Sequence, residues 1–185
     1  MNDLLYNKKT AYTAVLLMIL VSIFILGGND LRREQMRVMD VALGYNELGI
    51  DITAESSIVL ANSANLLVVA RRYIDADDIR ITNINDKLEN TQFGLSNSSG
   101  YRTLDIIVPY VERLLDDLST MNIEPRSSDQ LTEIEINIYA ALRRIRLSGY
   151  NELATDFNRL LRSPYTGLIA TVRGIDGFLT IGGSD

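Results

Sequence analysis

Ala11-Tyr-Thr-Ala-Val-Leu-Leu-Met-Ile-Leu-Val-Ser-Ile-Phe-Ile-Leu-Gly-Gly28 is the stretch on which the reading of this 185-residue chain turns. No charged residue falls between Thr10 and Asn29. A helix needs roughly 20 mainly apolar residues to cross the hydrocarbon of a bilayer, so the run predicts a transmembrane helix over 11–29. Two rival readings fit less well. A cleaved signal peptide suits the Lys8-Lys9 flank, but Ile25-Leu-Gly-Gly-Asn-Asp30 offers no small-x-small cleavage site and the run is long for such a segment. A buried soluble helix of this length normally carries a polar stripe, and none is present.

The residues flanking the run specify orientation weakly. Lys8 and Lys9 precede it, while Arg32, Arg33 and Arg37 follow it. The count leans slightly toward a cytoplasmic C-terminal domain. These five side chains are the candidate headgroup contacts, because the span places them at the depth of lipid phosphates.

Beyond Asn29 the composition narrows the function. The chain has 24 acidic and 18 basic residues, of which only Asp3, Lys8 and Lys9 precede the run, so the remainder carries a net charge of −7. Its basic residues are interspersed with acids and form no basic stripe, which argues against nucleic acid as a partner. There is no histidine and no cysteine. That excludes imidazole-dependent nucleophiles, thiolate sites and disulfides, and it removes the ligands of ordinary zinc, haem and iron–sulfur centres. No cofactor is implied. The excess of arginine, 15 against three lysines, suits forked ion pairs between packed helices or contacts with phosphates.

The rest of the chain reads as helix. From Ser128 to Arg162 apolar residues recur at Leu131, Ile134, Ile138, Ala141, Leu142, Ile145, Leu153, Phe157, Leu160 and Leu161 behind the N-capping residues Ser127, Ser128 and Asp129. A single helix there would be about 50 Å long, with a bend at Ser148-Gly149. A second helix over Tyr101–Met121 is expected to kink at Pro109. A third, over Thr53–Ile74, follows Ile58, Ala61, Asn65, Leu66, Val69 and Tyr73, and the transmembrane helix is expected to continue through Leu48 before Gly49 and Asp51 end it. The stretch Asp75–Asn90 is a weaker helix or loop, Gly94–Gly100 a connection, and Ser163-Pro164 the start of a short helix carrying Leu168, Ile169, Val172, Ile175 and Phe178. The expected architecture is all-α: a short tail over 1–10, the transmembrane helix 11–29, an antiparallel long-helix bundle over 30–179 and a tail over 180–185.

Several constellations bear on chemistry. Asp75, Asp77 and Asp78 open like a calcium loop, but Ile79 and Ile81 occupy positions where oxygen is needed and the sixth-place glycine is missing. Glu112 and Asp116 share a helix face, yet Arg113 and Asp117 form an equally regular pair, as exposed helices do. Arg143, Arg144 and Arg146, with Arg159 and Arg162, could bind an anionic ligand or headgroup, but such arginines more often pair with acids on neighbouring helices. Asn97-Ser-Ser99 is too short a glycosylation motif to carry weight. The most distinctive pattern is Tyr150-Asn151 followed seven residues later by Phe157-Asn158. Two helical turns separate the pairs, placing rings and amides on neighbouring sides, and such residues commonly set packing register.

At these residues the chain resembles the LemA family of single-span bacterial membrane proteins. Leu131-Thr-Glu-Ile-Glu-Ile-Asn-Ile138, Ala141-Leu-Arg-Arg144, Tyr150-Asn-Glu-Leu-Ala-Thr-Asp-Phe-Asn158, Ser163-Pro164 and Leu168-Ile-Ala170 through Gly174 and Phe178 follow the family's order. Asn65-Leu-Leu-Val-Val-Ala-Arg-Arg-Tyr73 is a weaker match, and together the stretches span about a third of the chain. Ala61-Asn-Ser-Ala64 stands where the family has an arginine pair and Leu-Ile-Pro, which marks a divergent member. The resemblance implies a LemA-like helical bundle beyond an N-terminal anchor, with no established enzymatic activity. The expected function is a membrane-anchored scaffold or assembly protein of the bacterial cytoplasmic membrane, single-pass, whose partners are membrane lipids and copies of itself or other membrane proteins. The alternative is a ligand- or partner-sensing module of a membrane regulator.

Overall fold

A computed structural model describes residues 8–90 and 99–181. It is all-α, with seven helices and no strand among the described residues: α1 Lys8–Ala42, α2 Ile52–Ala70, α3 Ile79–Asn90, α4 Ser99–Thr120, α5 Pro125–Leu147, α6 Tyr150–Arg162 and α7 Pro164–Arg173. The Gly94–Gly100 connection and the Asn97-Ser-Ser99 motif fall largely outside the described residues, as do most of the two expected tails.

The chain divides into two compact units. One comprises residues 1–37 and 156–177, hence most of α1, the last part of α6 and all of α7; the other comprises residues 38–155 and 178–185.

In the second unit α2 is the central helix, packed against α5 most extensively and also against α4 and α3, while α3 packs on α4. Its buried residues are Ile52, Ser56, Val59, Leu60, Ser63, Leu66, Leu67, Val69 and Ala70. This differs from the expected face: Ala61 and Asn65 are exposed. A helix apolar on nearly every side has no periodicity to betray its core face, and here the buried Ser56 and Ser63 lie on it. From α4 the buried side is Leu104, Ile107, Val108, Val111, Leu114, Leu115 and Leu118, and from α5 it is Leu131, Ile134, Ile138, Ala141 and Ile145. Pro109 lies inside α4 on its exposed side.

Three boundaries depart from the sequence reading. The expected long helix over 128–162 is two helices, because Gly149 adopts φ +73°, a left-handed conformation that ends α5 and that a Cβ disfavours. Its start is also earlier, with Pro125 in the first turn and no side-chain cap at Glu124. Finally, α1 stops at Ala42 and Asp51 begins α2: its carboxylate accepts from the backbone N–H groups of Thr53 and Ala54. Between them the Asn46 carboxamide holds the turn, donating to the carbonyls of Val41 and Ile50 and accepting from the N–H groups of Leu48 and Ile50.

In the first unit α7 begins after Ser163, with Pro164 in its first turn, and ends at Gly174. It buries Ile169 and Ala170. Ile169 reaches over Gly27 of α1, where a Cβ would lie 2.9 Å from its Cδ1. The Arg173 guanidinium lies over Gly28 and points toward the Phe24 carbonyl at 3.5 Å.

Candidate functional site

The feature that sets α1 apart is its surface. Val15, Leu16, Leu17, Met18, Ile19, Val21, Ile25 and Leu26 are all exposed large hydrophobic side chains. A second helix, α2, is also long and apolar enough to cross a membrane, so length and composition do not separate the two. Burial does: 6% of the most apolar window of α1 is buried, against 44% for α2. An exposed apolar surface this continuous is far beyond the scattered hydrophobic residues of ordinary protein surfaces.

Arg32, Arg33 and Arg37 stand exposed on α1 beyond this surface, with Arg37 3.8 Å from Glu34 one turn away. Lys8 and Lys9 open the same helix, and their side chains lie outside the described part of the structure.

The two aromatic-asparagine pairs are placed as follows. Tyr150 is fully buried and its hydroxyl donates to the Leu179 carbonyl at 2.9 Å. Asn151 bonds Ile181 twice, donating to its carbonyl at 2.8 Å and accepting from its N–H at 2.9 Å. The pair therefore fastens the segment after α7 by imitating a strand's backbone. Phe157 is buried, and Asn158 lies against Gly177, whose missing side chain leaves its amide room. No signal in the sequence tied Asn151 to the chain's last residues, since the bond joins positions 30 apart.

Ion pairs bind helices within the second unit. Asp78 caps α3 by accepting from the backbone N–H of Arg80, and its carboxylate also takes that arginine's guanidinium at 2.8 Å. The Arg80 side-chain bond, followed by the backbone bond, holds the Asp78 carboxyl down at about 2. Arg80 bridges on to Asp117 of α4. The Asp75, Asp77 and Asp78 trio thus stands at a helix start, and Asp117 pairs with Arg80 across helices. Arg144 of α5 donates to Glu55 of α2 at 2.7 Å, while Arg159 pairs with Asp156 on its own helix. Arg143, Arg146 and Arg162 are exposed.

Two places gather polar side chains. A groove of about 280 Å³ between α2 and α5 is lined by Asn62, Asn65, Arg72, Gln130, Glu133 and Asn137 over Val68, Val69 and Ile134. Tyr139 of α5 faces Glu112 and Asp116 of α4 and Glu135 of its own helix; burial first, and then these carboxylates, push its phenol pKa up. Among the described residues no group of His, Cys, Asp or Glu is arranged to hold a metal ion.

Comparison with known protein families, with curated proteins and with solved structures finds no match for the chain.

Proposed function

We propose that the protein is a membrane-anchored helical scaffold of the bacterial cytoplasmic membrane, non-enzymatic, held in the bilayer by α1 as a single pass and acting through association with copies of itself or with other membrane proteins. The observation that carries this reading is the set of exposed apolar side chains Val15, Leu16, Leu17, Met18, Ile19, Val21, Ile25 and Leu26 on a 35-residue helix. A water-facing surface of that kind would aggregate, whereas lipid tails accept it. Arg32, Arg33 and Arg37 then meet lipid phosphates at one end of the span. The order of motifs from Leu131 to Phe178 supports membership of the LemA family.

Self-association is tested by mass measurement after gentle detergent extraction of the full chain. The scaffold reading expects complexes of several copies at micromolar protein. A strictly monomeric species across detergents would contradict it.

The carboxamide groove between α2 and α5 favours a second reading, a sensor of a polar ligand, because Asn and Gln side chains offer donors and acceptors together. Thermal stabilisation of the protein by an anionic small molecule, lost in Arg72→Ala, would support it over the scaffold.

A further inference from the structure

Helix α7 has two apolar arcs. Ile169 and Ala170 form one, packed within the first unit, with Ile169 on Gly27. Tyr165, Leu168 and Val172 form the other and are each more than half exposed. At about 100° per residue these three fall within an arc of about 60°, immediately beside Ile169. Nothing among the described residues covers them.

Position and charge identify what does. The α1 run from Ala11 to Gly28 has the length of a hydrocarbon core, so Gly27 and Gly28 stand where acyl chains give way to headgroups. Helix α7 is docked at those two residues, with Arg173 beside Gly28 and the Phe24 carbonyl. The surrounding segment is also locally basic: between Asp156, which pairs with Arg159, and Asp176 there are three arginines, Arg159, Arg162 and Arg173, and no acid, in a protein of net charge −6. A short helix with an apolar face, a tyrosine and arginines at its ends suits the boundary zone of an anionic bilayer.

We propose that α7 lies in the membrane interface, with Tyr165, Leu168 and Val172 set among the upper acyl chains and Arg162 and Arg173 at the lipid phosphates. The protein then holds the bilayer by a transverse helix and by a second helix lying flat beside its end. This rests on the reading of α1 as a membrane span.

Because the chain has no cysteine, a single introduced thiol labels one position. The full chain carrying Leu168→Cys, Val172→Cys, Ile19→Cys or Ile136→Cys, each with an environment-sensitive fluorophore, is reconstituted into vesicles containing phosphatidylglycerol. Quenching is measured with nitroxide lipids labelled either near the glycerol or deep in the acyl chain. Labels at 168 and 172 are expected to be quenched by the shallow nitroxide about threefold more than the label at exposed Ile136, with the label at 19 quenched by the deep one. If 168 and 172 behave like 136 while 19 is quenched, α7 is not interfacial and the anchor stands. Shielding of 168 and 172 from water without lipid quenching would assign the face to a protein neighbour and overturn the proposal. Should the label at 19 also escape quenching, both readings fall.

Discussion

Asn151 bonds both the N–H and the C=O of Ile181 with one carboxamide. Removing it leaves two backbone groups to find water, a cost of about 1–2 kcal/mol for the local segment. Asn151→Ala is therefore expected to speed hydrogen exchange at the Ile181 amide by about tenfold while the amides of α5 keep their protection. Unchanged exchange at Ile181 would contradict the fastening role. Asp78 makes a second residue-scale test. Its carboxyl titrates near 2 in the folded chain instead of 3.8, chiefly because Arg80 hydrogen-bonds the ionised form. A carboxyl lowered by folding adds stability above its unfolded pKa, and that stability is lost as pH falls from about 4 through 2. Solvent screening of this surface pair limits the contribution to about 1 kcal/mol. Denaturant midpoints should thus fall between pH 4 and 2 more steeply for the natural chain than for Asp78→Asn, and equal slopes would contradict the assignment. Asn151's partner was not legible in the sequence, because that bond joins positions 30 apart, whereas Arg80 stands only two residues beyond Asp78.

At the scale of elements, helical character was legible and the edges were less so. Amphipathic α4 and α5 announced their core faces through Leu, Ile and Val at three- and four-residue spacing. Central α2, enclosed by three helices, offered apolar residues on all sides, and its core face was marked by Ser56 and Ser63, which no hydrophobic pattern selects. The break between α5 and α6 is a backbone event at one residue. Ser148-Gly149 signalled a bend, and the left-handed φ of Gly149 makes it an end. No heavy atom lies within 4 Å of where a Cβ would stand at Gly149, so Gly149→Ala tests conformation alone. It is expected to cost about 1–2 kcal/mol, read as a lower denaturation midpoint with helix content unchanged. No loss of stability would mean that the two helices can merge into the single rod the apolar spacing suggested.

At the scale of the whole molecule, the apolar run was the most legible feature, since length and absence of charge need no knowledge of packing. What the sequence could not convey was the contrast between two apolar helices, one enclosed by neighbours and one bare, because burial depends on contacts between distant segments. The candidate site divided in the same way: Arg32, Arg33 and Arg37 stand out by their distance from the apolar run, whereas the groove between α2 and α5 and the acids around Tyr139 arise only when helices meet. The account stands on α1 residing in lipid. Alkaline carbonate extraction of vesicles carrying the full chain tests this most directly. The protein is expected to sediment with the lipid at high pH; its recovery in the supernatant, still helical by circular dichroism, would contradict the account.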